Sequence, residues 1–301
     1  MKKFCKTSRI LPILAVAAGL LPVSNAVGNQ LNLVTGTAGA VTGGSFATGT
    51  TAGGENTRYQ LIDTIPAGTG VFQPFLSYQK KGAEEGVNTS LGGNGQGFLD
   101  DKRVPQWTHD LKFGDLLRVG LDLLPVATGG YYAFELDANE TGVGNPNRLL
   151  SIDDIRIYTK ATDPFAGMAN DTQVHTAIAN DTLGTLRYAQ NQPGGTANNY
   201  VVIDASRRTE GSTSGSGSSD MIVLVPASLF NGTGANDFVA FYTINGVAHS
   251  AGDFDANAGF EEWRALTTVG VPDGGSTLLL LGSVFASLGL FARGRKTARI
   301  D

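Results

Sequence analysis

The sequence predicts an all-β protein: an antiparallel β-sandwich, jelly-roll-like in form, with short helices. Three observations predict it. Glycine supplies 41 of the 301 residues, close to twice the usual ~7%. Charged residues make up 16% of the chain, well under the roughly 25% of an average soluble protein. Apolar residues recur with period two far more often than with period 3.6, which is the pattern of half-buried strands. Few charges and many glycines exclude a helical bundle, and the length is ample for one large core.

Taken in chain order, residues 27–58 carry little pattern and read as a flexible lead-in or an edge strand. A sandwich domain is expected over 59–270, beginning with strands at 59–65, 71–79 and 117–124. Over 130–137, Tyr132, Phe134 and Leu136 alternate with Tyr131, Ala133 and Glu135, as in a half-buried strand. Leu150, Ile152, Ile155 and Ile157 carry another strand, with a phase shift across Asp153 and Asp154 that predicts a bulge. Further strands are expected at 185–189, 200–205, 221–225 and 238–244, joined by Gly, Asn, Asp and Ser turns. Helices are expected only at 171–179 and 259–266, and the Gly/Ser run within 210–220 reads as a flexible connector.

The two ends differ from this body. Lys2, Lys3, Lys6 and Arg9 precede an apolar run over 10–23, and Ser24-Asn25-Ala26 places small residues before a cut at Val27. Residues 1–26 therefore read as a signal peptide. Cys5, the only cysteine, lies ahead of the apolar run, so the exported chain has no thiol and no disulfide. At the other end, the apolar stretch 277–292 is followed by Arg293, Arg295, Lys296 and Arg299. It reads as a C-terminal transmembrane helix with its basic end in the cytoplasm.

Val271-Pro272-Asp273-Gly274-Gly275-Ser276 stands directly before that stretch. A short Pro-containing motif, one apolar helix and a terminal basic cluster resemble the tripartite PEP-CTERM sorting signal, here closest to its VPDSG variant with Gly274 in place of Ser. The resemblance implies a sorting tail over 271–301, read and cut by a membrane exosortase. It also implies an exported protein of a Gram-negative bacterium, held transiently in the inner membrane. Its destination is then the cell surface, outer membrane or extracellular matrix. The blocks 134–140, 150–158, 214–221 and 259–263 are similar to ones found in exported proteins with this tail. They imply a shared β domain and no assigned activity.

Each end carries four of the 22 basic residues, and Asp273 and Asp301 are two of the 27 acids, so residues 27–271 keep 14 and 25 and a net charge of −11. That balance excludes an electrostatic nucleic-acid binder and favours cations or matrix polysaccharide as partners. His109, His175 and His249 show no i,i+4 pairing, there is no GxSxG, and no nucleotide-binding glycine pattern follows a strand. An enzyme is not expected. The leading expectation is a structural or interaction role in exopolysaccharide. The alternative is a Ca2+-assisted carbohydrate-binding module, and a polysaccharide-acting enzyme ranks third.

The site candidates follow from oxygen chemistry. Asp137, Asn139 and Thr141, spaced by two, present ligand oxygens from one turn, and Asp153 and Asp154 are candidates to join them around Ca2+. The same residues also form Asx turns without any metal. Asp253, Asp255 and Asn257 begin like an EF-hand loop, but Gly259 sits one place late and Arg264 stands where the last acid belongs, so a helix cap is the preferred reading. Trp107 is the aromatic most suited to stacking on a sugar ring, whereas Tyr132 and Trp263 are expected in the core.

Overall fold

The computed structural model describes residues 30–34, 43–46, 51–52, 56–62, 72–91, 98–99, 106–140, 148–194, 198–205, 219–247, 254–257 and 259–268. Residues 1–26, expected to be a signal peptide, and residues 271–301, expected to be a sorting tail, lie outside the described residues.

Strands dominate the regular structure among these residues and form two seven-stranded sheets. The first sheet runs β1 (Gln30–Asn32), β12 (Tyr200–Asp204), β10 (Leu149–Lys160), β14 (Phe238–Asn245) and β6 (Glu84–Val87), with β11 (Thr185–Ala189) also on β10 and β7 (Leu111–Lys112) on β14. The second runs β2 (Gly43–Gly44), β3 (Arg58–Leu61), β13 (Met221–Pro226), β9 (Tyr131–Ala138), β16 (Glu261–Ala265) and β4 (Leu76–Tyr78), with β8 (Arg118–Val119) on β9. A separate two-stranded ribbon pairs β5 (Lys81–Gly82) with β15 (Ala256–Asn257). The chain passes from β4 in the second sheet, through β5, to β6 in the first.

The period-two rule decides which side chains meet. Ile152, Ile155, Ile157, Val239 and Phe241 of the first sheet share one buried cluster with Phe134, Leu136, Met221, Val223, Val225 and Trp263 of the second. Phe241 is the hinge of this contact, with ring centroids 5.3 Å from Phe134, 5.4 Å from Phe75 and 4.9 Å from Trp263. The sheets therefore face each other across an aromatic core. On the outer face of the first sheet, Val174, Ala177 and Ile178 of α1 (Asp171–Ala179) pack with Tyr158, Val87, Ala240 and Tyr242. Asn170 caps that helix by accepting from the Gln173 N–H at 3.1 Å.

The all-β expectation holds, as does the bulge: the register of β10 against β14 shifts between Ile152 and Asp154. Several strand expectations shorten. The 117–124 segment keeps only β8 and then turns, with Leu123 at φ 61°. Pairing is antiparallel except between β1 and β12, which run parallel, so the lead-in supplies an edge strand. The strand over 131–138 is buried on both faces, because Ala133 joins Ile222, Leu224 and Val119 in a second apolar cluster outside the second sheet.

The helix expected at 259–266 is a correction. Residues 261–265 form β16, hydrogen-bonded between β9 and β4. Two neighbouring strands supply its backbone partners, and the strand phase sends Trp263 fully into the core. Tertiary pairing overrides the local preference for a capped helix. Asp255 and Asn257 accordingly cap nothing, and Asn257 lies in β15.

Candidate functional site

The inward phase of three strands continues past the apolar core into carboxylates. On β16, Glu261 is two residues before the inward Trp263 and shares its face. Glu140 continues the inward series Tyr132, Phe134, Leu136 and Ala138 just beyond β9. On β6, Glu85 accepts from the Tyr242 hydroxyl on the outer face at 2.9 Å, so its neighbour Glu84 points inward. The three carboxyl groups converge: one oxygen from each lies within 4.8 Å of the others. Glu84 and Glu261 are 0% exposed and Glu140 is 8% exposed.

The wall around them is built from the crossover. The Lys80 N–H donates to Glu84 Oε2 at 3.2 Å and the Asn257 N–H of β15 donates to Glu140 Oε2 at 2.9 Å, so the ribbon lies over the cluster. Asn245 Nδ2 donates to the Tyr78 hydroxyl at 2.6 Å and reaches Glu84 Oε1 at 3.4 Å. Trp263 Nε1 also donates to Tyr78, at 3.2 Å, tying the cluster to the aromatic core. Two glycines permit the close approach. A Cβ on Gly259 would sit 1.8 Å from the Asn139 carbonyl, and Gly246, at φ +76°, passes where a Cβ would meet the Gly82 carbonyl at 2.5 Å.

The electrostatics are those of crowded buried acids. Both oxygens of Glu261 and Oε1 of Glu140 have no hydrogen-bond donor. Burial, and then the charges of Glu84 and Glu140, push the Glu261 carboxyl well above the usual range. Burial raises Glu140 to about 8, against the Asn257 N–H that favours its charged form. Glu84 or Glu140 bonds to Glu261 only when one of them carries a proton. Among the described residues neither Glu140 nor Glu261 has a Lys, Arg or His partner.

Among the described residues, Asp137, Asp153 and Asp154, expected around Ca2+, are not gathered into one group. Asp137 takes the outward phase of β9, opposite Glu262 of β16, whose carboxyl burial and then Asp137 raise to about 7. Asp154 faces outward from the other sheet, where its Oδ2 accepts from Arg156 Nε at 2.7 Å. Arg156 in turn donates to the Ile178 carbonyl of α1 at 3.0 Å. Asp137 and Asp154 thus stand on opposite outer faces. Asp153 Oδ2 accepts from Ser151 Oγ and from the Val247 N–H, each at 2.8 Å. Asn139 donates its amide to the Phe260 carbonyl at 2.9 Å, and Thr141 lies outside the described residues.

Sequence reasoning thus missed the converging set by one residue of phase, taking 137 and 139 where 138 and 140 point inward. The inward run 132, 134, 136 carried the signal for Glu140, and Trp263 would have carried it for Glu261 had that segment been read as a strand. Elsewhere, Trp107 is 38% exposed on a turn, while Tyr132 and Trp263 are buried. His175 pairs with Glu85 at an exposed position, with Nε2 2.5 Å from Oε1.

No family model, curated protein or solved structure matches this chain. Among the described residues, no helix is long and apolar enough to cross a membrane.

Proposed function

We propose that this is an exported protein, processed at both ends, whose β body serves a structural or interaction role in the exopolysaccharide at a bacterial surface. The observation that carries the reading is the pairing of a signal-like N-terminus with Val271-Pro272-Asp273-Gly274-Gly275-Ser276, an apolar stretch and a basic end. On this reading the body is a jelly-roll-like sandwich, and the tail is a transmembrane sorting helix that an exosortase removes. A thiol-free chain working outside the cell needs a core that stands without disulfides. The aromatic layer around Phe241 is such a core. The charge of the body fits cations and polysaccharide and disfavours nucleic acid.

The intact mass of the protein recovered from cell-surface and medium fractions tests this. Loss of residues 1–26 and a cut near 271 are expected. A full-length mass in the cytoplasmic fraction would overturn the reading.

Trp107 favours a second reading, a carbohydrate-binding module assisted by Ca2+, because a ring this exposed is available for stacking on a sugar. A glycan array probed with the wild type and Trp107→Ala, with and without chelator, separates the two. Glycan signal lost in Trp107→Ala supports the module, and an array without signal removes it.

A further inference from the structure

We propose that Glu84, Glu140 and Glu261 form a buried site for one hard divalent cation, Ca2+ in preference to others, that clamps the β4–β5–β6 crossover to the exit of β9. The convergence of one oxygen from each residue within 4.8 Å is the first observation. The second is independent: Glu261 is 0% exposed, and neither of its oxygens meets a donor. A carboxyl group taken out of water and given no donor costs folding free energy unless a proton or a cation satisfies it. Glu140 Oε1 is in the same condition. These three oxygens, with the Glu84 carboxylate beside them, form an all-oxygen donor set.

The donor chemistry selects the ion. The group contains no His and no Cys, whereas zinc takes nitrogen and sulfur. Mg2+ keeps several waters and demands octahedral geometry, while Ca2+ accepts six to eight oxygens at about 2.3–2.6 Å, including bidentate carboxylates. Three buried carboxylates suit the second. One divalent ion reduces three buried negative charges to one. It also joins the two sheets, since Glu84 comes from β6 in the first and Glu261 from β16 in the second. The site differs from the outward-facing Asp137 of β9, and it stands on the buried geometry alone, so a protein found unprocessed would leave it intact.

Thermal unfolding of the full chain in EGTA and in excess Ca2+ tests it. At a hundredfold excess over the dissociation constant, the midpoint should rise by about 5–10 °C, with Mg2+ giving less. Glu261→Gln should melt above the wild type in EGTA, because its amide N–H can donate to Glu84 or Glu140 where the carboxyl oxygens had no donor, and below it in Ca2+, because the ion is lost. Asp137→Ala should keep the Ca2+ increment, and Glu140→Gln should lose it. Identical midpoints in EGTA and Ca2+ would overturn the proposal, as would an increment that survives in both Glu261→Gln and Glu140→Gln. Metal bound per wild-type chain after gel filtration in Ca2+ is decisive even where a variant fails to fold: about one ion supports the site and none overturns it.

Discussion

Glu140 shows how one buried carboxyl sets a pH dependence. Its folded-state pKa of about 8 lies above the ~4.3 of a free glutamate, so the folded protein binds the extra proton between those values. Stability must then fall as pH rises through that window. Glu84 and Glu261 face the same space: the charge of Glu84 disfavours a further negative charge on Glu140, whereas a hydrogen bond from the Glu261 carboxyl favours it, and burial outweighs that bond. In EGTA, the melting temperature is expected to drop between pH 5 and pH 8, and Ca2+ should remove most of the drop. A rising melting temperature over that range in EGTA would contradict the assignment. Gly259 makes a simpler demand. Its α-carbon lies so close to the Asn139 carbonyl that a methyl group does not fit. Gly259→Ala should therefore cost roughly 1–3 kcal/mol, the range for overpacking, measured by urea unfolding, and the calcium increment should shrink with it.

β16 carries the largest lesson about what a local pattern can decide. The segment from Phe260 to Leu266 contains two acids at its start and an Arg four residues after Phe260, which satisfies the rules for a short capped helix. It is a strand because β9 and β4 offer backbone partners on both sides, a fact set by residues more than a hundred positions away. The consequence is testable. Glu262 lies directly across from Asp137, and like charges so placed oppose pairing. Glu262→Thr, a β-branched residue without charge, should raise stability by about 0.5–1 kcal/mol at pH 8. A helix over the same residues would instead lose stability. By contrast, the 171–179 helix and the strands at 185–189 and 200–204 were legible because each has its own turn signals and an unbroken period.

Across the two sheets, the core was readable and the acid cluster was not. Period-two runs of Ile, Phe and Leu announce which residues will be buried, so Phe134 and Ile155 fall where their patterns place them. Three glutamates at 84, 140 and 261 meet only because the chain crosses between sheets at β5, and no spacing rule records that crossing. Residues 84–87 also lack a strong alternation and drew no strand expectation. Phe241 joins the two layers, so Phe241→Ala is expected to cost about 3–5 kcal/mol by chemical denaturation. A loss under about 1 kcal/mol would show that the layers do not share one core.

The central claim is that strand phase delivers three carboxylates to a single cation. The most direct measurement is an anomalous difference map from crystals of the protein grown in Ca2+. The expected result is a peak bonded to Glu261 and Glu140, at about 2.3–2.6 Å, with Glu84 on its other side. Ordered, well-defined side chains at all three positions with no peak between them would contradict it.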